Sequence, residues 1–319
     1  MPEPPPLPLR CPPTGSASPS TSYTALWGYI QPALDHIIYA PTDTLSKAPA
    51  IEVSYHMGIH TAVYNYFTAS QPQVPSAVGV QDSPPMCARE AQTAQDFYDR
   101  LDRYFAAAVT DIFLGLPDDD DALVHHLLDA FVRYRAGAGA VDRLLNYINR
   151  QYVQRSTSEG RGWFQVKDVL DDVAAAVLSR ESGMKVAGKI QERRTAELSK
   201  WGAVPGADEE ALKRAEACAE AASSQDRVVP LASMALRRFR LEVIEPLLVV
   251  AKVGLKSKTK DCSAGPKGRL AQAVHTLLGS KAEERQRLAR ELADMMRMVG
   301  VQPSQPLLRR LEKVNLRRN

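Results

Sequence analysis

The feature that most constrains the fold is the three- and four-residue spacing of apolar side chains along most of the chain. In the first such segment, which Pro41 ends, the apolar positions are Leu26, Ile30, Leu34 and Ile37. This spacing places side chains on one face of an α-helix. No stretch alternates apolar and polar residues as a half-buried strand does. The sequence therefore predicts an all-α fold.

Outside residues 163–228, eight further segments follow the same pattern or have helix-forming composition. Five amphipathic helices within roughly 130 residues are enough for a helical bundle with its own core. The Gly-Ala-Gly-Ala run at 137–140 predicts either a break or a tight helix contact. The predicted helices of the first bundle are 23–40, 53–68, 88–114, one that follows the acidic run at 118–121, and 141–155; later helices are expected near 231–245, 270–278 and 282–298, and a Leu/Arg-rich segment closes the chain.

Composition divides the chain into four parts. Residues 1–22 are rich in proline and serine and lack apolar periodicity, which predicts a disordered arm. Residues 23–162 form the predicted five-helix bundle. Residues 163–228 predict a helical insertion, in which the Ala/Glu-rich stretch 208–224 is expected to stand largely exposed. Residues 229–319 are more hydrophobic and include a basic loop.

The charge is distributed unevenly along the chain. The net charge is +3, but residues 229–319 carry 19 Lys and Arg against 8 Asp and Glu, a net of +11. Such a basic region is compatible with nucleic acid or an acidic partner. It lacks interleaved aromatic residues for base stacking, so the pattern does not favour nucleic-acid binding.

No sequence feature indicates a membrane span or a secretory signal. The longest apolar run, from Val243 to Leu255, is interrupted by Glu245, Pro246 and Lys252, whereas a span needs about 20 apolar residues. The four cysteines have no paired spacing, which is typical of reduced thiols. These observations predict a protein of the cytoplasm and nucleus.

Motifs for catalysis or cofactor binding are weak throughout. His56 and His60 have the i, i+4 spacing of a zinc-binding pair, but no HExxH motif surrounds them and no third ligand is evident. The segment 265–269 lacks the spacing of a phosphate-binding loop, and no GxSxG is present. The sequence predicts no catalytic residues, no metal and no cofactor.

Two motifs and the order of the helices carry a resemblance to a known family. The residues 63–68 read Val-Tyr-Asn-Tyr-Phe-Thr, and 147–155 read Tyr-Ile-Asn-Arg-Gln-Tyr-Val-Gln-Arg. They resemble hallmark segments in the second and fifth helices of the N-terminal cullin repeat, with Phe67 in place of Cys and Tyr152 in place of Trp. Residues 231–248 are similar to the opening helix of the second repeat. The closest resemblance is to cullins of SCF-type ubiquitin ligases.

The resemblance implies cullin repeats stacked end to end and a scaffolding function without catalysis. In that family, the first repeat binds a BTB/POZ-fold adaptor that holds F-box receptors, mainly through the second and fifth helices. The match covers 23–162 and 229–319 and ends within the second repeat. We therefore expect the third repeat and the C-terminal domain to be missing, and no RING subunit to bind.

The family's adaptor-binding positions fall on two helix faces of this chain. On the second helix they are His56, Met57, His60, Val63 and Tyr64; on the fifth helix they are Tyr147 and Gln151. Val63 and Tyr147 are equally compatible with core positions. His60 replaces an aromatic residue, so the resemblance suggests that adaptor affinity weakens as the pH falls.

Three other interpretations remain compatible with the sequence. The chain is alternatively a helical tethering protein that shares only cullin-like architecture, or a nucleic-acid-binding protein that uses its basic C-terminal third. A third interpretation is a degenerate cullin fragment that occupies the adaptor without delivering ubiquitin and so acts as a competitor.

Overall fold

The computed structural model contains eleven helices and no strand in the part of the chain that it describes. The described residues are 8–12, 18–20, 22–69, 86–165, 183–204, 206, 208–249, 268–277 and 282–316. The prediction of an all-α fold is confirmed. The helices are α1 (Tyr23–Tyr39), α2 (Val53–Ala69), α3 (Met86–Leu114), α4 (Asp120–Leu144), α5 (Asn146–Ile148, π-helical Asn149–Val153, Gln154–Ser158), α6 (Gly183–Ser199), α7 (Glu209–Ala222), α8 (Leu231–Phe239, π-helical Arg240–Ile244, Glu245–Leu248), α9 (Arg269–Leu277), α10 (Ala282–Met298) and α11 (Pro306–Leu316).

The chain divides into two compact units. Unit 1 comprises Met1–Tyr104, Val132–Ser158 and Pro230–Ala232, and unit 2 comprises Phe105–Phe131, Glu159–Val229 and Ser233–Asn319. Both units take residues from the segment 23–162, which the sequence suggested as one bundle. The four-part division made from composition stays a prediction.

The core of unit 1 is built from the apolar faces of α1 to α4. Ser22 begins α1 because its hydroxyl accepts a hydrogen bond from the Ala25 amide, which would otherwise lack a partner. The apolar spacing then turns one face of the helix inward. The fully buried side chains include Leu26, Ile30, Leu34, Tyr55, Ile59, Phe97, Leu101, Val141 and Leu145.

The Gly-Ala-Gly-Ala run lies inside α4 and marks a tight contact, not a break. A Cβ at Gly137 would lie 2.9 Å from Ile38 Cδ1 and 3.2 Å from the Ile37 carbonyl oxygen, so glycine lets α1 and α4 approach closely. Because α4 continues to Leu144, the predicted start of the fifth helix at Val141 is wrong. The next helix begins at Asn146.

Within the proline-rich N-terminal arm, Leu9 pairs with the segment before α2; that residues 1–22 form a disordered arm stays a prediction. Leu9 forms a parallel bridge with Ile51: its amide donates to the Ala50 carbonyl at 3.2 Å, and its carbonyl accepts from the Glu52 amide at 2.9 Å. Residues 1–7, 13–17 and 21 lie outside the described part of the chain.

In unit 2, α7 packs into a small core, whereas the sequence predicted that it stands exposed. Asp208 caps its first turn by accepting from the Ala211 amide. Ala215 and Ala219 are buried, and they pack with Leu198 and Ala203. Short alanine side chains bring α7 close to its neighbour without a large apolar face, so the pattern of the sequence did not indicate burial.

The larger core of unit 2 surrounds α8. Phe239 packs edge-on against Phe131 with ring centroids 5.3 Å apart. Arg237 is 1% exposed, and its guanidinium donates to the Ser224 and Arg227 carbonyls, each at 2.9 Å. A buried cation needs such partners. Further buried side chains are Val243, Leu270, Leu292, Met296 and Leu308.

No helix in the described ranges is both long and apolar enough to cross a bilayer. The basic loop that the sequence suggested between α8 and α9, residues 250–267, lies outside the described residues.

Candidate functional site

The exposed side of α2 carries a stripe of large apolar side chains. Val53, Met57 and Tyr64 are 76%, 58% and 55% exposed. Their spacing of four and seven residues places them along one face of the helix. The opposite face turns Tyr55 and Ile59 into the core, both fully buried. The inward face fixes the helix, and the stripe is left facing solvent.

Aromatic contacts join this stripe to α5. The rings of Tyr64 and Tyr147 meet edge-on with centroids 5.8 Å apart. Tyr147 also stacks on Phe67, at 5.9 Å and an interplanar angle of 18°. Phe67 in turn contacts the fully buried Phe97 at 5.8 Å. This chain of rings holds Tyr64 and Tyr147 against the core, so the surface is organised before any partner arrives.

The structure therefore brings together most of the residues predicted from the resemblance. We call the side chains of Met57, Tyr64, Tyr147, His56 and His60 the α2–α5 surface. Met57 and Tyr64 are exposed, while Tyr147, His56 and His60 are half-buried. Gln151 is exposed on the π-helical segment of α5.

Val63 does not belong to this surface. Its side chain is 1% exposed, because it lies on the inward face of α2 beside Ile59 and Ala62. Val63 is therefore removed from the residues predicted to contact an adaptor. The sequence analysis did not predict two residues of the site. Val53 extends the exposed stripe of α2, and the ring of Phe67 stacks on that of Tyr147. Val53 precedes Met57 by four residues, so the helical spacing in the sequence already places the two side chains on one face of α2.

The two histidines of α2 lie against each other. Their ring centroids are 4.7 Å apart, with an interplanar angle of 54°. Burial lowers the pKa of His60, and the neighbouring His56 lowers it further. Within the described residues, no group of three or more His, Cys, Asp or Glu side chains is arranged to hold a metal ion.

A second polar arrangement in unit 1 gives a structural role to Asn149, which belongs to the second hallmark motif. Asn149 Nδ2 donates to Asp142 Oδ1 at 2.8 Å. The same Asp142 oxygen accepts from the Ala232 amide at 3.0 Å, and Asn149 Oδ1 accepts from the Leu231 amide at 3.1 Å. The two side chains therefore cap the N-terminus of α8.

The comparisons with known proteins identify no relative. No protein-family model matches the sequence, no curated protein matches it, and no solved structure matches the fold.

Proposed function

We propose that this chain is a non-catalytic interaction protein that binds a BTB/POZ-fold adaptor, and through it F-box receptors, in a cullin-RING-type ubiquitin ligase. The α2–α5 surface is the docking site. The single observation that carries this proposal is the contact between Tyr64 and Tyr147, because it joins the exposed faces of the two helices on which the resemblance depends.

The chemistry of the surface supports docking of a folded protein. Tyrosine and methionine are enriched at protein interfaces, and tyrosine is frequent among the residues that dominate binding energy. Tyr64 is held by an aromatic neighbour, so it loses little conformational freedom when a partner covers it. A helix face with exposed positions at i, i+4 and i+11 presents these anchors together to a groove or helix of the partner.

The test is direct binding of a purified SCF-type BTB/POZ adaptor to the full chain. We expect the wild type to bind, and Tyr64→Asp to weaken binding by about 2 kcal/mol or more, the loss typical of an interface hot spot. Leu114→Asp is the matched control: Leu114 is 75% exposed on α3 and lies outside the α2–α5 surface. Its affinity should equal that of the wild type.

Two results would contradict the proposal. A wild-type chain that fails to bind the adaptor removes the ligase function altogether. Equal weakening by Tyr64→Asp and Leu114→Asp means that any exposed charge disturbs binding, so the α2–α5 surface is not the site. Affinity capture from native lysate extends the test, because adaptor and F-box proteins should be enriched together by the wild type and lost with Tyr64→Asp.

A further inference from the structure

Unit 1 contains a cavity between α4 and the loop that follows α1. Its volume is about 730 Å³, and it is lined by the loop residues 46–51, the second half of α4, Ile37 and His56. Cavities of roughly 300–1,000 Å³ are the usual size of small-molecule sites. The space is therefore large enough for a ligand of nucleotide size.

Three cationic side chains line the cavity without a compensating carboxylate. They are Lys47, Arg135 and Arg143, and no Asp or Glu is among the lining residues. Within the described residues, none of the three forms an ion pair. Other arginines of this chain do, such as Arg240 with Glu245 and Arg297 with Glu312. All three side chains are exposed to solvent, so they can meet an anion that enters the cavity.

The two arginines of the cavity lie on one stripe of α4. Arg135, Gly139 and Arg143 follow each other at four-residue steps, so they lie on one stripe of the helix. A Cβ at Gly139 would lie 3.6 Å from Arg143 Nη1. The Arg143 side chain therefore reaches back over Gly139, in the direction of Arg135. Two guanidinium groups that approach one space are suited to the oxygens of a phosphate.

The loop that carries Lys47 is held in place by several hydrogen bonds. The Thr42 hydroxyl donates to the Thr44 carbonyl at 2.7 Å and reaches the Lys47 carbonyl at 3.2 Å. The ring Nε2 of His36 lies 3.0 Å from the Ala50 carbonyl, and the bridge from Leu9 fixes the end of the loop. Lys47 is thus presented from an ordered backbone, as a prepared binding site requires.

We propose that this cavity binds a nucleotide-sized organic phosphate. Arg135, Arg143 and Lys47 hold the phosphate group, and the apolar lining from Pro49, Ile51 and Val132 receives the carbon portion of the ligand. The cavity shares His56 with the α2–α5 surface, but the three cationic side chains proposed to hold the phosphate lie outside that surface.

The experiment is isothermal titration of the full chain with AMP, ATP, inorganic phosphate and adenosine at low salt. We expect AMP and ATP to bind, inorganic phosphate to bind more weakly and compete with them, and adenosine not to bind. The double variant Arg135→Gln/Arg143→Gln should weaken AMP and ATP binding at least tenfold. Arg290→Gln, which alters an exposed arginine of α10 in unit 2, is the matched control and should leave binding unchanged.

A second variant keeps the test decisive if the double variant is unstable. Gly139→Asp places a carboxylate beside the Arg143 guanidinium on the cavity wall, at a position where a Cβ has ordinary van der Waals room. It should abolish AMP and ATP binding while the helix content is retained. The proposal is overturned if none of the phosphate-bearing probes binds, if adenosine binds as tightly as AMP, or if both cavity variants bind like the wild type.

Discussion

The two glycines of the Gly-Ala-Gly-Ala run allow a stability prediction with an internal control. Gly137 and Gly139 lie two residues apart on α4, but only Gly137 contacts another helix closely. A Cβ at position 137 would lie 2.9 Å from Ile38 Cδ1 and 3.2 Å from the Ile37 carbonyl oxygen, whereas at position 139 the nearest atom, Arg143 Nη1, is 3.6 Å away. We compare Gly137→Ala with Gly139→Ala.

The magnitudes follow from two opposing effects. Alanine in place of glycine within a helix stabilises by about 0.8–1 kcal/mol, and this gain is common to both variants. At Gly137 the new methyl group overpacks the contact between α1 and α4, which costs about 1–3 kcal/mol because the Ile37 backbone must shift. Gly139→Ala should therefore be more stable than the wild type, and more stable than Gly137→Ala by about 1–3 kcal/mol.

The assay is urea unfolding followed by the fluorescence of Trp27, which is 5% exposed in the core of unit 1. Replacing Trp163 and Trp201 with phenylalanine leaves Trp27 as the single reporter, since the chain has three tryptophans. Equal free energies of unfolding for Gly137→Ala and Gly139→Ala would show that the helix contact does not require glycine, and would refute the reasoning.

Three further outcomes are expected. Asn149→Ala should lower the free energy of unfolding by about 1–2 kcal/mol in urea titrations, since the Leu231 amide loses its cap; an unchanged midpoint would exclude this role. Gly300 has φ +83° and no room for a Cβ beside the Ala222 backbone, so Gly300→Ala should cost about 2–5 kcal/mol by the same measure. Because the pKa of His60 is lowered from 6.5, its stabilising contribution is complete above that value and is lost as the pH falls below it. The Tm of the wild type should therefore drop further than that of His60→Gln between about pH 7 and pH 5; parallel Tm curves would contradict this.

The sequence predicted the helices well where apolar spacing is regular and a proline or a polar loop follows. The segment 282–298 has the predicted bounds, and α1 ends two residues before Pro41. The boundary between α4 and α5 was placed too early, directly after the Gly-Ala-Gly-Ala run at 137–140, whereas α4 continues to Leu144. Neither glycine nor proline marks this site.

Features that depend on residues far apart in the chain could not be predicted from the sequence. The bridge from Leu9 to Ile51 joins segments 42 positions apart, and no local pattern of the proline-rich arm indicates it. The burial of Arg237 depends on carbonyls of another segment. For the candidate site, the resemblance pointed to Met57 and Tyr64, which are exposed, and equally to Val63, which is buried; helical spacing alone did not separate the three.

The π-helical turn of α5 has a consequence for how this chain can vary. Over Asn149–Val153 the amide of Gln154 pairs with the Asn149 carbonyl, five positions back, so the turn contains one residue more than a regular one. A single-residue deletion there would let the helix close normally. Because the bulge takes up the extra residue, every side chain from Gln154 onward would keep its present face and Ser156 would stay buried, whereas the same deletion in a regular α-helix would rotate all later side chains by about 100°.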